Sequence, residues 1–163
     1  MNGDPKLYQI LDELNIEFEY HEHPPAPTIE AAMECWKDIE ATHCKNIFFR
    51  NKKGNRHYLV IFKHSQNLAV RDLEQRLKQG KLSFASEKRL DKYLGLKPGA
   101  VSIAGLLNDH DKHVHVFLDE NLLQAERISF HPNINTATVA IAMTDFKRLL
   151  THLQNSHEFL TLY

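Results

Sequence analysis

Only two cysteines, Cys35 and Cys44, occur in the 163 residues. They fit neither a disulfide framework nor a zinc-ligand pattern. No apolar run approaches the roughly 20 residues a helix needs to span a bilayer. The first ten residues, MNGDPKLYQI, lack both the basic start and the apolar core of a secretion signal. These absences predict a reduced, cytoplasmic protein with no membrane partner. Repeats, linker-like stretches and low-complexity segments are also missing, and no Gly-Lys-Ser/Thr ending marks a phosphate loop. At 42% hydrophobic residues, one domain over residues 1–163 with a single core is expected.

Net charge is also scarce, at −1, but it is unevenly spread. Residues 45–97 hold fourteen Lys/Arg against four acids, Asp72, Glu74, Glu87 and Asp91, and between Lys45 and Lys63 there is no acid at all. That segment is +10 and the remainder −11. A basic segment on an acidic body points to an anionic partner such as a nucleic-acid backbone. The alternative is a set of solvated faces balanced by acids elsewhere in the fold.

The most informative stretch is 128–142, ISFHPNINTATVAIA. Ile128 and Phe130 read as the end of one strand and residues 136–141 as the next, rich in Thr, Val and small residues. The turn between them carries His131, Pro132, Asn133, Ile134 and Asn135. An ordinary hairpin closes with Asn-Gly or Asp-Gly, so this turn is expected to wall a site; a structural histidine is the plainer reading. Elsewhere, Asp4 caps a first helix with Pro5 at its first position, and Leu7, Ile10, Leu11 and Leu14 form its buried stripe. Residues 18–20 form a short strand stopped near Pro24-Pro25. Thr28 caps a helix to about Cys35. Residues 45–50 and 56–62 make the clearest hairpin, around a turn containing Gly54.

Lys45 leads the face of that hairpin shared with Ile47 and Phe49; it can snorkel or point into a cleft as a fixed cation. Helices follow at about 69–78 and from a Ser86 cap to Leu94. Residues 100–108 read as a loop, flanked by Gly99 and Gly105, where glycine permits close approach to a ligand. A strand at 113–118 and a last helix capped by Thr144 complete the chain. Paired histidines, His21 with His23 and His113 with His115, read as exposed strand residues, since no further ligand sits at metal-site spacing. The fold class is α/β or α+β around a mixed sheet of six or seven strands.

Four stretches carry a likeness: HPPAPTIEAA, CKNIFFRNKKGNRHYLV, KLSFASEKRLDKYLGLKPGAVSIAGLLND and ISFHPNINTATVAI, in this order. Over about residues 4–155 the chain resembles the YbaK/prolyl-tRNA synthetase editing-domain family, in its free-standing ProX (PrdX) branch. The resemblance implies a mixed, partly barrel-like sheet with flanking helices, and an aminoacyl-tRNA deacylase acting in trans. The substrate it implies is alanine mischarged on proline tRNA, with cysteine or serine as alternatives. The family lysine falls on Lys45, followed by Asn46. The family histidine falls on His131, beside Pro132 and Asn133. The Gly-x-x-x-Pro loop falls on 99–103, where Gly99 and Ser102 are retained and Ile103 replaces the usual proline.

These positions give the expected site. Lys45, Asn46, Gly99 and Ser102 carry catalysis, and His131, Pro132, Asn133, Thr28 and Ile103 bind substrate. No metal or cofactor is implied. An aminoacyl ester is reactive enough for a positioned water, so no Ser-His-Asp arrangement is needed, and none is evident. Lys45 binds the anionic 3′ end, while Asn46 and backbone amides at 99–102 hold the ribose and the developing oxyanion. His131 bounds the amino-acid pocket and orients the amino group. Cys44, with no nucleophile motif around it, reads as packing. The basic segment meets acceptor-stem phosphates, which position rather than specify. tRNA is the expected partner, with prolyl-tRNA synthetase as a further one. The competing readings are a non-catalytic tRNA- or synthetase-binding module and a hydrolase of free amino-acid esters or amides.

Overall fold

The computed structural model describes residues 1–26 and 28–163; Pro27, within the first of the four stretches above, lies outside them. Two sheets form the framework. The larger has the order β4 (Leu82–Phe84), β2 (Cys44–Asn51), β3 (His57–Lys63), β5 (His115–Asp119), β8 (His157–Leu160). Its β2–β3 and β2–β4 pairs are antiparallel, and its β3–β5 and β5–β8 pairs parallel. The smaller sheet is antiparallel, with β7 (Ala137–Ala142) between β1 (Phe18–Glu22) and β6 (Arg127–Phe130). The sheet is therefore mixed as expected, but the two sheets do not close into a barrel. They meet at one parallel bridge, Thr42 with Ile128, where the Thr42 amide donates to Arg127 O and the Ser129 amide to Thr42 O.

Burial on both faces explains the sequence of β3. Leu59 and Ile61 point into the main core with Phe48, Val116, Leu118 and the stripe of α5 (Met143–Leu153). Tyr58, Val60 and Phe62 point the other way, onto Leu73 and Leu77 of α3 (Val70–Leu77). A strand buried on both faces reads as a continuous apolar run, which is what RHYLVIF shows. The caps form where polar residues precede apolar stripes: Asp4 accepts from Lys6 N at α1 (Pro5–Glu13), Thr28 from Ala31 N at α2 (Ile29–Trp36), and Ser86 from Arg89 N at α4 (Glu87–Leu94).

Several expectations are corrected. Residues 103–108 are a 3-10 helix capped by the Ser102 hydroxyl, not an open loop. Gly105 lies beneath Leu96, whose Cδ1 would sit 2.6 Å from an added Cβ, so its smallness serves packing rather than a ligand. The last helix starts at Met143, and Thr144 supplies no cap. The strand expected from His113 starts at His115, and β8 adds an eighth strand. His21, His23, His113 and His115 are half-buried rather than exposed. No helix among the described residues is long and apolar enough to cross a membrane.

Candidate active site

The bridge between the sheets sets the start of β2 beside the end of β6, and a groove opens along that seam. Its volume is about 380 Å³. β2 gives it Cys44, Lys45, Asn46 and Ile47; α2 and its cap give Thr28, Ala32 and Trp36; the loop before the 3-10 helix gives Gly99 and Val101; and the β6–β7 turn gives His131. Five of the nine expected residues thus line one groove: Thr28, Lys45, Asn46, Gly99 and His131. Gly99 holds φ +88°, a conformation in which any side chain is strained.

Lys45 is held rather than mobile. Its ammonium donates to Gln66 O and to Asn67 Oδ1, each at 2.7 Å. An ammonium has three donors, so one remains for a ligand. Asn46 makes no side-chain hydrogen bond to the protein among the described residues. His131 Nδ1 lies 2.8 Å from Ala137 O. A carbonyl only accepts, so Nδ1 carries the proton and Nε2 of the neutral ring is left as an acceptor. Burial lowers the pKa of His131, the Ala137 bond opposes that shift, and nearby His23 adds to it. At neutral pH the groove therefore offers a fixed cation, an uncommitted carboxamide and a neutral acceptor.

The other four expected residues stand behind this wall. Ser102 is fully buried, and its hydroxyl donates to His131 O at 2.6 Å while accepting from Ala104 N. Ile103 is in the core. Pro132 O accepts from Asp4 N, and Asn133 Nδ2 donates to Asp4 Oδ2 and Ala104 O. Asn133 has φ +66°, a left-handed conformation that asparagine tolerates. These four contacts pin the turn so that His131 faces the groove. None of the four lines the groove.

A smaller recess lies off the groove and shares its Trp36, Cys44, Asn46 and His131. Ser129, Phe130 and Thr138 complete it, and it holds only about 20 Å³. That is room for one water- or methyl-sized group. Trp36, which motif spacing did not single out, stacks on buried His43 with centroids 4.5 Å apart and planes 4° from parallel. His43 bonds Ser129 Oγ, and burial pushes its pKa down to about 4. Burial, with the Asp119 carboxylate adding to it, pushes the Cys44 thiol up to about 12, so it is no thiolate nucleophile at neutral pH.

Fold and groove together define a small α/β domain with a polar groove at the seam of its two sheets. The comparisons agree. The model of the aminoacyl-tRNA editing domain family matches residues 23–149. The chain is 40% identical to the prolyl-tRNA editing protein ProX of Acetoanaerobium sticklandii over 99% of both chains. It is 33% identical to the prolyl-tRNA synthetase associated domain-containing protein 1 of Danio rerio, over 93% of this chain and 83% of that one. A solved structure described as a candidate trans-editing enzyme for prolyl-tRNA synthetase superposes with TM-score 0.67 over 98% of this chain and 99% of that one; at 18% identity it speaks for the fold alone. The chain belongs to the aminoacyl-tRNA editing domain family, and so to the enzymes that hydrolyse an aminoacyl ester.

Proposed function

We propose that this protein is a trans-acting deacylase of mischarged proline tRNA, with alanine as the preferred acyl group. The observation that carries the reading is the 20 Å³ recess beside Lys45 and His131. A methyl group fits such a hole and the three ring methylenes of proline do not. A synthetase that accepts proline rejects alanine poorly, because missing methylenes are worth only about 1–3 kcal/mol. A second, smaller pocket supplies the missing discrimination.

In this reading the free donor of Lys45 binds the 3′-terminal phosphate and fixes the ester. The Nε2 acceptor of His131 takes a hydrogen bond from the α-ammonium, and Asn46 holds the ribose. Backbone amides around Gly99 face the oxygen on which charge develops. Water attacks the carbonyl carbon, the ester C–O bond breaks, and the ribose oxygen leaves with a proton. The neighbouring ribose hydroxyl assists that transfer. Prolyl-tRNA synthetase is the partner that supplies the mischarged tRNA.

The deciding experiment is deacylation of alanyl-tRNA(Pro) beside prolyl-, seryl- and cysteinyl-tRNA(Pro). Fast release of alanine with proline spared is expected. Trp36→Ala, which removes one wall of the recess, should cut the alanine-over-proline preference by about tenfold or more, the scale of one to two methylenes. Faster serine or cysteine release would keep the class and overturn the specificity. No turnover of any ester would leave a binding module.

A further inference from the structure

A second hollow, of about 500 Å³, opens at the other end of the large sheet. It exists because β3, β5 and β8 run parallel, so their first residues, His57, His115 and His157, lie toward the same end. Its floor is aromatic. Tyr58 and Phe117 are buried with ring centroids 5.6 Å apart, and the His115 ring stands T-shaped to Phe117 at 4.5 Å. Gln79, just past α3, accepts from the Tyr58 hydroxyl and donates to Leu77 O, which closes that side. An apolar floor with a few polar groups above it is the usual make-up of a small-molecule site.

Hydrogen bonds run in one direction through the histidines of this hollow. An arginine only donates, so His57 Nε2 accepts from Arg89 Nη1 at 3.0 Å and the His57 proton sits on Nδ1. Nδ1 then donates to His113 Nε2 at 2.9 Å. The His113 proton therefore sits on Nδ1, which has no acceptor among the described residues. Burial first, then His113, Arg89, Lys92 and Arg50, lower the pKa of His57 to about 4, so the direction of the chain holds at neutral pH. The chain ends in an N–H donor polarised by the guanidinium at its start. A protonated nitrogen is no metal ligand, and no group of three described His, Cys, Asp or Glu is placed to hold a metal ion.

Two exposed charges complete the rim, Arg56 and Glu158. Among the described residues neither joins an ion pair. Val60 is level with Phe117 and Phe117 with Glu158, so Arg56 lies four residues earlier and two strands away. Their backbones are thus about 16 Å apart, which leaves a gap between the charged ends for a bridging ligand. An anion alone would meet the Glu158 carboxylate, and a cation alone would meet Arg56 and the His113 N–H. A ligand carrying both charges uses every one of these groups. We propose that this hollow binds a free α-amino acid as its zwitterion. The carboxylate accepts from Arg56 and His113 Nδ1, the ammonium donates to Glu158, and an apolar side chain lies on Tyr58 and Phe117. The proposal is independent of the deacylase reading, since none of these residues lines the Lys45 groove.

The test is an NMR titration of the whole protein, following backbone amide shifts, with four probes: L-leucine, N-acetyl-L-leucine, L-leucinamide and inorganic phosphate. L-leucine should give saturable shifts at residues 56–58, 113–117 and 156–158 while those of 44–47 stay put. The acetylated probe lacks the ammonium and the amide probe lacks the carboxylate, so each should bind about tenfold or more weakly, and phosphate should not compete. Arg56→Gln and Glu158→Gln each lie at an exposed position and should weaken L-leucine by a similar factor. If L-leucine, L-proline and L-phenylalanine all gave no saturable shift, the site would be refuted. Equal binding of either blocked probe, or displacement by phosphate, would overturn the zwitterion, and shifts confined to 44–47 would place the ligand in the groove instead. Whether the protein hydrolyses any ester has no bearing on these outcomes.

Discussion

Two hollows lie at opposite ends of the same β2–β3 hairpin, and the proposed acyl site is the smaller one. The groove at Lys45 measures about 380 Å³; the hollow at the other end, lined by Arg56, His57, His113 and His115 among others, measures about 500 Å³. Both contain histidines and a cation. They differ in what the side chains are already doing. In the larger hollow Arg89 donates to His57 Nε2 at 3.0 Å, which leaves His57 Nδ1–H to donate to His113 Nε2 at 2.9 Å. Tyr93 stacks on His113, and His115 bonds Ser156. His57, His113 and His115 are thus each bonded to a neighbouring side chain. In the smaller groove one donor of Lys45, the amide of Asn46 and Nε2 of His131 stay uncommitted. The proposed site rests on these uncommitted groups beside the small recess, not on volume.

The sharpest way to break this comparison is to remove one cation from each hollow. Lys45→Ala should lower kcat/KM for the aminoacyl ester by about 10²–10³-fold, the scale of losing one preorganised charge-stabilising group. Its circular-dichroism spectrum should be unchanged, because Lys45 lies at a half-buried strand start and its acceptors, Gln66 O and Asn67 Oδ1, belong to a half-buried and an exposed residue that water can reach. Arg56→Ala should leave turnover of a short aminoacyl ester within about twofold of wild type, in keeping with the small effect of exposed substitutions. Equal losses from both variants would mean that the hollows are coupled, and no loss from Lys45→Ala would sink the catalytic assignment.

pH separates the two ends less steeply. His43, behind the groove wall, and His57, in the larger hollow, are each pushed down to about 4, mainly by burial, from an ordinary 6.5. Their folded-state values lie below their unfolded ones, so the unfolded chain takes up the extra protons. The stability they lend is complete above about pH 6.5 and is lost as pH falls toward 4. Each should contribute a slope of at most about 1.4 kcal/mol per pH unit in that window. Urea midpoints between pH 4 and 8 will show it. His57→Gln should flatten part of this dependence while leaving ester turnover at pH 7.5 unchanged. A midpoint independent of pH would contradict the buried, neutral assignment of both rings.

What could be read in the sequence follows from how each feature is encoded. Caps, the double-faced strand β3 and the β2–β3 hairpin are local patterns, and Asp4, Thr28, Ser86 and residues 57–62 behave as their neighbours dictate. Lys45, Asn46, Gly99 and His131, which the motif names, line one groove. The motif could not say which residues face the groove and which hold it. Pro132 and Asn133 are turned from the groove by contacts with Asp4 and Ala104, and Ser102 by its bond to His131 O, all between residues far apart in the chain. Trp36 was missed for the same reason: its partner His43 meets it only after α2 folds back on β2. A signal was available, since it is the one tryptophan, in a segment already within the likeness. The four-residue strand β8 is too short to show a period.

The departure of Ile103 from the family proline gives the smallest expected effect, and it tests the distinction between lining a site and supporting it. Ile103 is the first residue of the 3-10 helix, after the Ser102 cap, and only 1% exposed. Proline suits the first position of a helix because its missing N–H has no partner there. An isoleucine at that place exchanges a fixed φ for an apolar side chain in the core, beside the Ser102 hydroxyl that holds the His131 carbonyl. Ile103→Pro should therefore keep the loop, lose part of the packing and lower stability by roughly 1 kcal/mol, with entropy of the unfolded chain offsetting some of the loss. Ester turnover and the alanine-over-proline preference should stay within about twofold. A change in preference larger than the change in stability would show that position 103 shapes the pocket itself, and Ile103 would return to the substrate-binding set.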